Sequence, residues 1–140
     1  YGYGNSYKFN SIKIKKKFSN ISFNKFDVKL NNRIKNFDLL LHLSKREGLP
    51  VSIMQSLSEG LPVICYNIRG NNDLIKDNFN GYFVDSYKEV PNKIHFLNSK
   101  VIFLNKMRLN AFNSINESFS KQKINFKIYK IIENYLKQSK

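Results

Sequence analysis

The sequence predicts an α/β fold in which a parallel sheet is flanked by helices. Short apolar runs alternate with stretches whose apolar residues recur at helical spacing, which is typical of βαβ units. The apolar share of 41% and the aromatic share of 14% indicate a globular chain. With 140 residues, the chain is long enough for one such domain and short for two.

The first predicted elements are short. Residues 6–18 carry spaced apolar positions among lysines and predict a weak helix. Residues 20–26 alternate between apolar and polar side chains and predict a strand, and residues 27–36 predict a short helix. Residues 38–43 form an apolar run that predicts a buried strand.

The central elements follow the same alternation. Residues 50–59 predict a helix with Pro50 as its first residue, and Gly60 suits the left-handed position just beyond its end. Residues 62–66 predict a buried strand whose proline stands first, where it removes no ladder hydrogen bond. A polar turn then leads to a short helix near residues 73–77.

The remaining elements follow a strong turn signal, Asn80-Gly81. Residues 82–84 predict a short strand, and the rest is predicted helical, with one helix over 100–118 and another over 121–137. The last helix carries an apolar stripe, which we interpret as core packing rather than a membrane-facing surface. Its members are Ile124, Ile128, Ile131, Ile132, Tyr135 and Leu136.

The composition limits the class of function less than it limits the fold. The formal net charge of +14 suits an anionic partner such as nucleic acid, anionic lipid or a nucleotide. Because lysines are spread along the chain with abundant Asn, Ile and Phe, we favour a compositional origin of the net charge.

The single cysteine, Cys65, lies in an apolar run, so no disulfide framework or metal-ligand spacing is predicted. His42 also lies in an apolar run, and we interpret it as a hydrogen-bonded core residue.

The turn between the strand at 38–43 and the helix at 50–59 is the candidate site. It contains Glu47-Gly48-Leu49-Pro50, which places a carboxylate and backbone N–H groups beyond the carboxyl end of a strand. Ligands of doubly wound sheets bind at that edge. The helix N-terminus adds a partial positive charge that suits phosphate. The alternative is a purely structural role, in which Glu47 interacts only with the helix dipole.

Residues 44–64 resemble the donor-site signature of GT-B glycosyltransferases of family 4, S-x-x-E-G-L-P-x-x-x-x-E-A-x-x-x-G-x-P-V-I. Residues 69–75, followed by Asn80-Gly81, are similar to the G-x-x-[DE]-L-I…N-G segment that follows it. Gly2-Tyr3-Gly4 resembles the G-x-G-P loop without its proline. Relatives with an R-G-N-x-D-L-I turn commonly serve capsule, exopolysaccharide or lipopolysaccharide synthesis.

The resemblance implies a Rossmann-like α/β domain, the carboxyl-terminal, donor-binding half of a GT-B fold with its first strand missing. Residues 1–140 would form a partial nucleotide-sugar-binding domain of a longer chain, with the amino-terminal acceptor domain absent. The implied activity is a retaining transfer of a hexosyl or N-acetylhexosaminyl group from a UDP- or GDP-sugar. The acceptor would be a growing cell-surface glycan or a lipid-linked molecule. The isolated fragment is expected to be inactive.

The resemblance also implies roles for single residues. Glu47, as the catalytic residue, would accept hydrogen bonds from donor-sugar hydroxyls. Gln55 stands where relatives hold a second carboxylate, which binds the ribose, so weaker donor binding or a changed function is expected. The alternative is that Gln55 is an ordinary residue of an amphipathic helix. Phe26 would border the base. The implied donor-binding residues are Gly2, Gly4, Phe26, Gly48, Leu49, Pro50, Val51 and Gln55.

The expected partners follow from this assignment. We expect a nucleotide sugar and a glycan or lipid-linked acceptor, no cofactor, no metal and no nucleic acid. The expected location is the cytoplasm, with peripheral contact to the anionic inner face of the plasma membrane. Two alternatives stay open: a basic nucleic-acid-binding module, and an inactive remnant of a glycosyltransferase.

Overall fold

The computed structural model describes residues 20–22 and 33–138. All regular elements described lie in one compact unit, residues 33–140. In chain order they are β1 (Leu40–His42), α1 (Val51–Ser58), β2 (Val63–Tyr66), β3 (Gly81–Val84), α2 (Val90–Ser99), α3 (Val101–Phe119) and α4 (Lys121–Gln138). A 3-10 turn, Tyr87–Glu89, leads into α2. The strands are parallel in the order β1-β2-β3, which confirms the predicted α/β fold.

The central strand β2 divides the core between the two faces of the sheet. Val63 and Cys65 face one cluster of buried side chains, and Ile64 faces the other. This alternation follows from the two-residue period of a strand. The first cluster also contains Ile53, Leu57, Leu74, Ile75, Ala111 and Ile115. The second contains Tyr82, Val84, Val90, Leu97 and Met107.

Helix α3 joins the two clusters, because Met107 packs in one and Ala111 in the other. The end of α1 lies against it. Gly60 has a φ of +71°, and a Cβ there would lie 3.3 Å from the Arg108 carbonyl oxygen. The Arg108 side chain reaches the segment before β1, where Nη2 donates to the Phe37 carbonyl at 3.1 Å. These contacts lie before the amino-terminal ends of β1 and β2, at the edge of the sheet opposite the candidate site.

The Asn80-Gly81 pair is a buried junction as well as a turn. The Asn80 side chain is fully buried and donates to the Leu74 carbonyl and Ser114 Oγ, both at 3.0 Å. Its Oδ1 accepts the Lys76 N–H at 2.8 Å. A Cβ on Gly81 would clash with the Val63 carbonyl oxygen, so only glycine allows β3 to approach β2 this closely.

Most predicted elements that fall on described residues are confirmed. The strands over 38–43, 62–66 and 82–84 correspond to β1, β2 and β3, with ends that shift by one or two residues. The helices over 100–118 and 121–137 correspond to α3 and α4. The helix predicted over 6–18, and most of the strand over 20–26 and the helix over 27–36, lie outside the described residues.

Two sequence predictions are wrong. The short helix near 73–77 is a series of turns, because the Asn80 side chain takes the Lys76 N–H that a helix would use. The apolar stripe of α4 is not core, since its side chains are between 38% exposed, at Ile124, and 71% exposed, at Tyr135. Among the described residues, no helix has the length and apolar character needed to cross a bilayer.

Candidate functional site

The candidate site is built by two loops at the carboxyl edge of the sheet. Residues 43–50 follow β1 and residues 67–72 follow β2, and these strands are parallel neighbours. The loops pack backbone against backbone. Gly70 has a φ of +87°, and a Cβ there would clash with the Gly48 carbonyl oxygen and lie 2.9 Å from its carbonyl carbon. The loop after β2 therefore packs directly against the Glu47 turn.

The Glu47 carboxylate is held by a hydrogen bond with His42, the last residue of β1. Its Oε1 lies 3.0 Å from Nε2 of His42, and the Glu47 and His42 side chains are 24% and 14% exposed. The other ring nitrogen of His42, Nδ1, lies 3.4 Å from Oγ of Ser52 in the first turn of α1. The site therefore joins a strand end, a loop carboxylate and a helix start in one hydrogen-bonded chain.

The start of α1 presents an open polar surface. Pro50 is the N-cap residue, with φ −73° and ψ 111°, rather than the first helical residue as the sequence predicted. Its carbonyl accepts from Ile53 N at 3.1 Å and Met54 N at 3.2 Å. N–H groups earlier in a helix have no intrahelical acceptor, and no described side chain caps this end. The amides and the helix dipole favour an anionic ligand here.

The residues around this helix start leave room for a ligand. A Cβ added to Gly48 would meet nothing within 4 Å, so packing does not require glycine there. Leu49 is 47% exposed and Val51 is 63% exposed. These side chains border the surface formed by Glu47 and the α1 amides.

Gln55 lies on α1 and is partly buried. Residues three apart share one face of a helix, so Gln55 follows Ser52 on the face that reaches His42. The structure thus places Gln55 about one helical turn after Ser52, which contacts His42. Gly2, Gly4 and Phe26, the other predicted donor-binding residues, lie outside the described residues.

Asn71 shapes the second loop. It is fully buried, and its Nδ2 donates to the Tyr66 carbonyl at 2.9 Å. Its Oδ1 has no hydrogen-bond partner within the described part of the chain. Its backbone carbonyl accepts from Leu74 and Ile75 N. These bonds hold the loop in the shape that brings Gly70 against Gly48.

A cleft of about 480 Å³ opens along the same edge of the sheet. Sequence reasoning did not select its residues, although each ends a strand or lies in the segment that follows one. Lys45 and Asp85 contribute charges of opposite sign, and Tyr87 contributes an exposed ring. The remaining lining residues are Tyr66, Asn67, Ile68, Val84 and Ser86.

The described residues also bear on the metal and cysteine predictions. Across residues 20–22 and 33–138, no group of three or more His, Cys, Asp or Glu side chains is arranged to hold a metal ion. Cys65 is buried in the core. Its burial, and to a lesser extent the charge of Asp77, raises the pKa of the thiol to about 12. A thiol with that pKa stays protonated and is a poor nucleophile.

A parallel sheet with two packed loops at its carboxyl edge defines an α/β domain of the class that binds ligands at that edge, and the comparison with known families identifies the family. Residues 6–114 match the glycosyl transferases group 1 family, and the chain belongs to that family. The Rossmann-like architecture expected for the carboxyl-terminal half of a GT-B glycosyltransferase is confirmed.

One curated relative and two solved structures illustrate the similarity. The Escherichia coli UDP-Gal:alpha-D-GlcNAc-diphosphoundecaprenol alpha-1,3-galactosyltransferase is 36% identical over 93 residues, which are 64% of this chain and 23% of that protein. Anabaena HepE in complex with UDP-glucose superposes with a TM-score of 0.80 at 18% identity, over 92% of this chain and 37% of HepE. Pneumococcal O-GlcNAc transferase GtfA in complex with UDP and GlcNAc gives a TM-score of 0.71 at 24% identity, over 94% of this chain and 27% of GtfA. The chain therefore spans well under half the length of each relative.

Proposed function

We propose that this chain is the donor-binding part of a longer glycosyltransferase, which transfers a sugar from a nucleotide sugar. One observation carries the proposal: a fixed carboxylate, Glu47, lies beside the open start of α1 at the carboxyl edge of a parallel sheet. A carboxylate accepts hydrogen bonds from sugar hydroxyls, and free amides at a helix start bind phosphate. Family membership supports joining these two features in one donor site.

In this proposal Glu47 orients the donor sugar, and the backbone of Gly48 to Val51 faces the sugar and the diphosphate. Amides aimed at the departing diphosphate would stabilise charge that grows in the transition state. The amide oxygen of Gln55 accepts a hydrogen bond from a ribose hydroxyl. This bond is weaker than the one that a carboxylate would accept. The proposed donor-binding residues also include Gly2, Gly4 and Phe26, with Phe26 assigned to the base; all three lie outside the described part of the chain.

The identity of the donor and acceptor is a further part of the proposal. The Escherichia coli relative is named for UDP-Gal and for a diphosphoundecaprenol-linked acceptor, and HepE binds UDP-glucose. We therefore favour UDP over GDP, a hexosyl or N-acetylhexosaminyl group, and a lipid-linked or growing glycan acceptor. Membership of family 4, a retaining outcome and a role in surface polysaccharide synthesis belong to the same proposal.

We place the enzyme in the cytoplasm, in peripheral contact with an anionic membrane surface. The exposed stripe of α4 supports this location, because five lysines and one glutamate accompany its apolar residues. A helix with one apolar and one lysine-rich face suits the bilayer interface.

Co-sedimentation with vesicles should rise with the fraction of anionic lipid. Binding that is equal on neutral and anionic vesicles would contradict the proposed contact.

The donor-site proposal is tested by equilibrium binding of UDP-galactose and UDP-glucose. Glu47→Gln should weaken binding of the preferred donor about tenfold, because it replaces a charged acceptor with a neutral one. Glu59→Gln is the matched control, since Glu59 is exposed at the opposite end of α1. Equal affinities for the wild type and Glu47→Gln would contradict the role of Glu47.

A further inference from the structure

The sequence predicts a hydrogen-bonded core residue at His42, and the structure shows that its hydrogen bonds connect it to the candidate site. It is the last residue of β1, and it lies five positions before Glu47. Both ring nitrogens have partners, with Nε2 3.0 Å from Glu47 Oε1 and Nδ1 3.4 Å from Ser52 Oγ. The imidazole is therefore wedged between the loop carboxylate and the first turn of α1.

The chemistry of these partners fixes how the imidazole is used. An ionised carboxylate can only accept hydrogen bonds, so Nε2 must carry a hydrogen. In the neutral ring Nδ1 is then an acceptor, and the Ser52 hydroxyl donates to it. Nε2–H uses one lone pair of Oε1, and within the described part of the chain the second carboxylate oxygen, Oε2, has no hydrogen-bond partner. Such a bond sets the rotamer of a carboxylate without consuming its capacity to bind.

Glu47 needs such support because it lies in a loop rather than on a strand or helix. We propose that His42 is a positioning residue, which orients Glu47 toward the hydroxyls of the donor sugar. This inference rests on the proposed function and goes beyond it, since it makes recognition of the sugar, rather than of the nucleotide, depend on a residue of β1. Sites held by supporting hydrogen bonds keep the geometry that recognition requires.

The first test separates recognition of the sugar from recognition of the nucleotide. Binding of UDP-galactose and of UDP is measured for the wild type, His42→Leu and His42→Gln. His42→Leu should weaken UDP-galactose binding about tenfold and leave UDP binding within about twofold. His42→Gln retains an N–H donor and should recover most of the loss. His95→Leu, on the exposed surface of α2, is the matched control and should change neither affinity.

A merely structural role would give a different pattern. If His42→Leu weakened UDP and UDP-galactose equally, or if His42→Gln failed to recover the sugar-dependent part, the proposal would be overturned. Thermal unfolding of each variant, followed in the absence of ligand, detects any general loss of folding. A variant that unfolds at the assay temperature is replaced by His42→Gln and Ser52→Ala in the same comparison.

A second measurement does not depend on nucleotide-sugar binding. In protein labelled with ¹⁵N-histidine, the His42 nitrogens should report a hydrogen on Nε2, and Glu47→Ala should shift the His42 signals but not those of His95. Unchanged His42 signals would overturn the proposal. A wild-type chain that binds no nucleotide sugar would contradict the proposed function instead, and the spectra would still decide whether His42 holds Glu47.

Discussion

At the scale of single residues, Gly70 shows how a missing side chain shapes the site. Its backbone is left-handed, and its Cα lies so close to the Gly48 carbonyl that any Cβ would clash with it. Gly48 is the opposite case, because a Cβ there would point into open space. One glycine is thus required by the contact between the loops, and the other leaves the surface beside Glu47 uncovered.

This difference predicts unequal effects of the same substitution. Gly70→Ala should lower the free energy of unfolding by about 2 kcal/mol or more, since left-handed strain and the clash add together. Gly48→Ala, the matched control, should change it by less than about 1 kcal/mol. Urea denaturation measures both. Equal losses for the two variants would contradict the packing of the 67–72 loop on the Glu47 turn.

Cys65 leads to a prediction about pH. In the unfolded chain the pKa of the Cys65 thiol is about 8.5. In the folded chain burial raises it to about 12. Deprotonation then favours the unfolded chain between these values, so the contribution of Cys65 to stability is complete below the lower pKa and falls as pH rises toward the upper one. The free energy of unfolding should decline more steeply with pH in the wild type than in Cys65→Ala. Parallel pH profiles would show that the thiol is not shielded.

At the scale of elements, local periodicity predicted whether a segment is a helix or a strand better than it predicted which of its faces is buried. The alternation of apolar runs and helical patterns located β1, β2, α1 and α3, because the period of a side-chain pattern follows from its own backbone. Periodicity cannot tell which apolar face finds a partner, so the stripe of α4 was wrongly assigned to the core. The turns at 73–77 were missed since the Asn80 side chain bonds to Lys76 N, a contact that spacing does not reveal.

The exposed stripe predicts a contrast between two isoleucines. Ile64, at the centre of β2, is fully buried, and Ile131 of α4 is 68% exposed. Ile64→Ala should lower the free energy of unfolding by about 2–5 kcal/mol, whereas Ile131→Ala should change it by less than about 0.5 kcal/mol. Chemical denaturation of the two variants provides the comparison. A large loss for Ile131→Ala would show that α4 packs its apolar face in solution.

At the scale of the whole molecule, the fold and the place of the Glu47 turn at the sheet edge were predictable, but the contacts around that turn were not. Glu47 could be located because parallel strands end at one edge, where ligands bind. The contact of Gly70 with Gly48 joins residues 22 positions apart, and that of His42 with Ser52 joins residues ten apart. Such pairs depend on how loops pack across strands, which the local pattern of a single sequence does not encode.

The net charge of +14 also belongs to this scale, and it keeps one alternative function open. A nucleic-acid-binding module would bind through phosphates, and its affinity would fall steeply with salt. A donor site built on Glu47 and the α1 amides should instead discriminate UDP-galactose from UDP. A salt-sensitive gel shift without binding of a nucleotide sugar would favour the alternative.

The most direct test of the central claim is a crystal structure of the chain with its preferred UDP-sugar, obtained by soaking or co-crystallisation. Our account predicts that a sugar hydroxyl lies within hydrogen-bond distance of the Glu47 carboxylate and that the diphosphate lies against the amides at the start of α1. A nucleotide sugar bound at another surface, with the Glu47 carboxylate still held by His42 and facing only solvent, would contradict it.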